Sequence, residues 1–154
     1  MRQLLYTTLI NVPEFLEPKP NDLNLVGDQN DPARVRVYQW GSLGKDDIPQ
    51  MPEPFPFLVI FENPSTVNQE VQETNRSQNR FFQIYCYDEH GTGYVRIERI
   101  LRLARDYVLE LPMVVSPSGA RCSGARWTGM STDSRDPDYN ANMKFLTVVL
   151  TASQ

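Results

Sequence analysis

Residues 80–111 read RFFQIYCYDEHGTGYVRIERILRLARDYVLEL, and the change of hydrophobic period inside them decides the fold. In the first nine residues apolar side chains fall on both faces of a period-two pattern. Phe82, Ile84 and Cys86 share one side, and Phe81, Tyr85 and Tyr87 share the other. That pattern predicts a strand with one face on a helix and the other covered by a loop or a second chain. From residue 91 the period becomes helical. Tyr94, Ile97, Leu101, Ala104, Val108 and Leu111 follow 3-4 spacing, widened by Ile100 and Tyr107. Thr92 is a candidate N-cap, and Pro112 ends the run.

Working outward, residues 57–62 (FLVIFE) and 143–151 (MKFLTVVLT) are short apolar runs rich in β-branched and aromatic residues, which predicts buried strands. Residues 33–41 alternate, with Val35 and Val37 opposite Arg34 and Arg36, as a strand with one wet face does. Residues 120–130 hold Cys122, Ala125 and Trp127 and read as a further strand. Residues 2–11 form a weak helix, because Thr7, Thr8 and Ile10 are β-branched. A proline-punctuated loop is expected at 13–32, and a turn-rich loop at STDSRDPDYNAN. The sum is an α+β chain: a mostly antiparallel sheet of about four to five strands, one long helix packed on a face and a short N-terminal helix. Its 154 residues suit a single domain spanning 1–154.

Composition excludes several functions. The net charge of −4 argues against a dedicated nucleic-acid binder, whose affinity comes from phosphate neutralisation. No apolar run approaches the roughly 20 residues that span a bilayer, so no membrane role is expected. The sole histidine, His90, rules out a His-rich metal site. Asp88, Glu89 and His90 sit between strand and helix, where acid–base groups are placed in enzymes. No nucleophile motif or phosphate loop accompanies them, so a helix-entry loop is expected and a small-molecule-binding or enzymatic domain is the alternative. Asp133, Asp136 and Asp138 lack the glycine and downstream glutamate of a calcium loop and read as a solvated turn. Cys86 and Cys122 lie outside any CxxC motif and read as buried thiols, with a disulfide or a nucleophile as the other readings. No catalytic residue, metal or cofactor is expected.

Two surfaces remain as candidates. Residues 63–79 form a polar connection between two strong strands, longer than most loops that do nothing. They are read as a flexible loop or a docking arm, with Asn63, Val67, Glu70, Val71, Glu73 and Arg76 along it. On the polar face of the long helix, Val95 and Leu109 fall among Arg99 and Arg102, and read either as stray aliphatics on a charged face or as a candidate subunit contact rimmed by charge. Glu98–Arg102 and Arg102–Asp106 are i,i+4 pairs that temper the arginines at 96, 99, 102 and 105, so a solvated or interfacial face is favoured over DNA binding.

Three segments in order, IYCYDEHGTGYVRIERIL, GARCSGARWTGMS and STDSRDPDYNANMKFLTVVL, resemble the tail terminator proteins of long-tailed bacteriophages, most clearly over residues 80–150. The resemblance implies a structural virion protein and not an enzyme. It implies a homohexameric ring that caps the tail tube, ends its polymerisation and meets a head-closure or other neck protein. DNA would pass through the channel without specific binding. Such a protein is assembled in the host cytoplasm and resides at the tail–head junction of the virion.

Overall fold

The computed structural model describes residues 1–16, 35–40, 55–63, 77–91, 93–113 and 121–153. Helix α1 spans Arg2–Ile10 and is followed by a helical turn, α2, at Pro13–Leu16. Strands β1 (Arg36–Trp40), β2 (Phe57–Glu62) and β3 (Ser77–Glu89) precede the long helix α3 (Val95–Leu109). A 3-10 turn at Leu111–Met113 leads on to β4 (Arg121–Met130), β5 (Ser134–Asp136) and β6 (Ala141–Ser153).

One mixed sheet holds all six strands, in the order β1-β2-β3-β6-β4, with β5 paired to β6 beside β4. Strand β6 is central because it is apolar on both faces and can be covered on both. It runs antiparallel to β3 through thirteen paired positions, from Ala141 opposite Glu89 to Ser153 opposite Ser77. The pair β1–β2 is parallel, while the others are antiparallel. The stretch from 41 to 56 is long enough for the crossover that a parallel pair needs.

The helix-facing side of the sheet presents Phe82, Ile84 and Cys86 of β3 and Leu146, Val148 and Leu150 of β6. Against them pack Ile97, Ile100, Leu101, Ala104 and Val108 of α3, and Leu4, Leu5 and Leu9 of α1. The 3-4 spacing of α3 thus lands on the even positions of two adjacent strands. On the far side Phe57, Val59, Tyr87 and Ala141 form a second buried cluster, with Tyr38, Phe55, Tyr85, Tyr139 and Met143 against it. The Phe57 and Tyr87 rings stack at 4.9 Å, and Tyr139 meets Tyr87 edge-on at 5.4 Å.

Several boundaries differ from the sequence reading. The loop expected at 13–32 begins as helix, because Phe15 buries its ring and its amide bonds Val12. Residues 17–32 lie outside the described residues. The connection expected at 63–79 is shorter at both ends. The Asn63 amide donates to the Phe81 carbonyl at 3.0 Å, and Ser77–Asn79 pair with Thr151–Ser153. Ladder hydrogen bonds to β6 outweigh the low strand propensity of these polar residues. Helix α3 starts at Val95 with Tyr94 as N-cap, and Thr92 is outside the described residues. Its start is instead fixed by tertiary bonds: Tyr94 Oη donates to the Ser134 carbonyl at 2.7 Å and Asn142 Nδ2 to the Gly93 carbonyl at 3.2 Å. Gly93 sits at φ +75°, a conformation that side chains disfavour. Residues 134–136 of the expected turn-rich loop add a short strand, β5, to the sheet edge.

Candidate assembly interface

The candidate contact on α3 follows from helix geometry. At 100° per residue Val95, Arg99, Arg102, Asp106 and Leu109 fall within one stripe, opposite the buried Leu101, Ala104 and Val108. Val95 is 71% exposed and Leu109 38%, and the Arg102 side chain is 63% exposed. These residues share a face but not a patch: fourteen helical steps of about 1.5 Å put Val95 and Leu109 roughly 21 Å apart. The stripe is a charged band with an aliphatic residue at each end.

Its charges pair differently from the sequence expectation in two places. Arg102 lies 3.8 Å from Glu98, as the i,i+4 rule predicts. Asp106, expected to pair with Arg102, instead accepts from Arg105 at 3.1 Å. Arg96 is no part of the outward band. It turns inward and grips the fully buried Asp88 with both arms of its guanidinium, one at 2.7 Å. The Asp88 carboxylate also accepts the Glu89 amide at 2.7 Å. Asp88 is therefore committed to holding the β3–α3 corner, while Glu89 and His90 are exposed beside it.

A second buried charge, Lys144 on β6, sits on the helix side of the sheet with Leu146 and Val148. It donates to Glu98 at 2.8 Å and lies 2.9 Å from Asp133. Burial pulls its pKa down, but the two carboxylates outweigh that and the net shift is upward. Asp133 is thus tied to Lys144. Asp136 accepts the amides of Asp138 at 2.9 Å and Tyr139 at 3.4 Å, closing a turn. Among the described residues no acid, histidine and cysteine cluster could hold a metal ion.

Both thiols are buried and free. Burial pushes Cys86 well above the usual thiol range and raises Cys122 too. Cys86 is opposite Lys144 and Cys122 opposite Ala152, so roughly 26 Å of strand β6 separates their rows. A bridge between them is out of reach.

Of the candidate arm, only Asn63 lies among the described residues. Val67, Glu70, Val71, Glu73 and Arg76 fall outside them. The sequence reading missed a corner beside α3. Trp127, on edge strand β4, is 43% exposed, and the Arg105 guanidinium lies 5.2 Å from its ring centroid. The register shifts at Cys122/Gly124 and Trp127/Gly129, bulges that the two glycines within the strand could have signalled.

No protein-family model matches the sequence, and no curated protein matches it. Among solved structures the chain is similar to one in a structure described as the virion of a native gene transfer agent (GTA) particle. The likeness has a TM-score of 0.55 over 77% of this chain and 78% of that chain, at 14% identity. At that identity the two share a fold: a mixed sheet with a long helix across one face.

Proposed function

We propose that this chain is a structural virion protein of the tail terminator kind. It caps a phage tail tube, ends its polymerisation and forms part of the head–tail joining surface. Its 154 residues act as one domain in a homohexameric ring, with tail tube protein on one side and a head-closure or other neck protein on the other. DNA passes through the channel without specific binding. It carries out no catalysis, is assembled in the host cytoplasm and resides at the tail–head junction.

The observation that carries this reading is the fold shared with a chain of a virion particle over most of both chains. The exposed band on α3 supports it. Val95, Arg99, Arg102 and Leu109 offer aliphatic ends and an arginine-rich centre, a composition suited to subunit contacts. A ring needs heterologous contacts that close by rotation.

Light scattering coupled to size exclusion tests the ring. Six copies of 17.7 kDa give about 106 kDa, with a central hole in negative-stain images. Arg102→Glu combined with Leu109→Asp is expected to dissolve the oligomer and leave the circular dichroism spectrum unchanged. A variant ring as stable as wild type sinks this interface. The shared virion fold also fits a head-closure or adaptor protein. Capture of purified tail tube protein supports the terminator; capture of portal-side protein alone supports the second position.

A further inference from the structure

Strand β4 ends the sheet, yet it is poorly suited to accept another strand. Two bulges break its register, and Arg121 and Arg126 are exposed along it. What it offers outward is a side-chain corner. Trp127 is paired through Val148 to the helix side of the sheet, under the Arg105 guanidinium. Leu109 lies one turn further along α3, and Arg102 lies one turn back. Trp and Arg are among the residue types that dominate binding energy at protein interfaces. Arg105 already holds Asp106, whereas Arg102 reaches Glu98 only at 3.8 Å, and Glu98 is also held by Lys144 at 2.8 Å. The corner therefore calls for an incoming carboxylate.

The opposite end of the sheet presents one. The turn after β5 exposes Asp138, with its backbone fixed by Asp136. Asp136 pairs with Ala141 and Trp127 with Val148, so seven residues of β6, roughly 23 Å, separate the turn from the corner. The two cannot meet within one chain. They can meet between two copies arranged head to tail, and such contacts build rings.

We propose that the Trp127–Arg105–Leu109 corner is the docking site for a second copy of this chain, whose turn at Asp138 supplies the carboxylate for Arg102. This rests on the ring reading and names the two surfaces that would form its contact.

The test uses two full-length variants, one blocked at each surface. Trp127→Ser with Arg105→Glu removes the corner, and Asp138→Asn removes the carboxylate charge without creating a cation that could pair with the Glu of the first variant. Arg105→Glu alone serves as a second corner variant with Trp127 intact. Circular dichroism checks that each folds. Each variant alone is expected to be monomeric by light scattering. An equimolar mixture is expected to form a 1:1 dimer of about 35 kDa, twice the chain mass, because one intact corner meets one intact turn. Variants that still assemble like a wild-type oligomer overturn this contact and leave the ring reading standing. A mixture that stays monomeric overturns the head-to-tail arrangement. A wild-type chain that stays monomeric at millimolar concentration overturns both.

Discussion

Asp88 and Lys144 are the two charges buried among the described residues, and they differ in what surrounds their partners. Asp88 is fully buried, and its charge is answered by the two-armed grip of Arg96. A planar fork places one N–H on each oxygen of that carboxylate, whereas a lysine would supply a compact point charge that cannot match both oxygens side by side. Lys144 is held by Glu98 and Asp133, whose side chains are themselves well exposed and can return to water. Removing Arg96 strands a buried carboxylate; removing Lys144 frees two carboxylates that solvent can take back. Arg96→Met is therefore expected to cost about 3–5 kcal/mol. Lys144→Met is expected to cost less, about 1.5–3 kcal/mol, the range of hydrogen bonds to charged groups. Urea denaturation of the two variants measures the order, and a larger loss for Lys144→Met overturns it. Part of this was legible: alternation along β6 puts Lys144 on the side of Leu146 and Val148, and alternation along β3 puts Asp88 on the side of Ile84 and Cys86. Which residues answer the two charges depends on where α3 crosses the sheet, and no local pattern encodes that.

Helix α3 was legible because it repeats its 3-4 period over many residues, and strand β6 because it is an apolar run rich in β-branched residues. Helix geometry alone then placed Val95, Arg99, Arg102 and Leu109 on the outer face, and their exposure agrees. Strand order was not legible in the same way. Apolar residues on both faces mark β6 as an inner strand, but nothing local marks β4 as an edge, so the exposed Trp127 read as one more strand residue, and the parallel pairing of β1 with β2 left no mark in either strand. The start of α3 was missed for a similar reason: its fixing bonds come from Ser134 and Asn142, 40 and 49 residues from their partners in sequence. The two faces of α3 should respond in opposite ways to substitution. Leu101 is fully buried among β-strand side chains, and Leu101→Ala is expected to cost about 2–5 kcal/mol. Val95 is mostly in solvent at the first turn, where an acid also favours the helix dipole. Val95→Asp is expected to change stability by no more than about 0.5 kcal/mol. Chemical denaturation checks both, and a large loss in Val95→Asp would mean that this end of the helix is covered in the isolated chain.

At the scale of the molecule, elements distant in sequence are clasped by proton-bearing groups, and this sets how the fold meets alkaline pH. Tyr107 on α3 donates its hydroxyl to Glu14 Oε2 of α2 at 2.7 Å. That bond, with burial and the nearby negative charge adding to it, raises the phenol to about 12. Lys144 joins β6 to α3 and to the residue before β5, and its pKa is also raised. Both groups hold their protons more tightly in the folded chain than in the unfolded one. The unfolded chain then binds fewer protons than the folded chain above the ordinary values of 10.0 and 10.5, so stability falls as pH rises there. Each contribution is complete below its ordinary value and is lost as pH rises through the folded value. For Tyr107 that window runs from pH 10 to about 12; for Lys144 it opens at 10.5. Urea midpoints measured from pH 8 to 12 are expected to hold steady and then drop. Tyr107→Phe cannot lose the phenolic proton, so its curve should lie below wild type at pH 8 and converge on it by pH 12. A gap between the two curves that stays constant across this range would show that the Tyr107–Glu14 clasp contributes nothing to the alkaline limb, and the loss would then fall to Lys144, to the buried Tyr87, whose hydroxyl is also pushed upward by burial, and to the Cys86 and Cys122 thiols that burial raises.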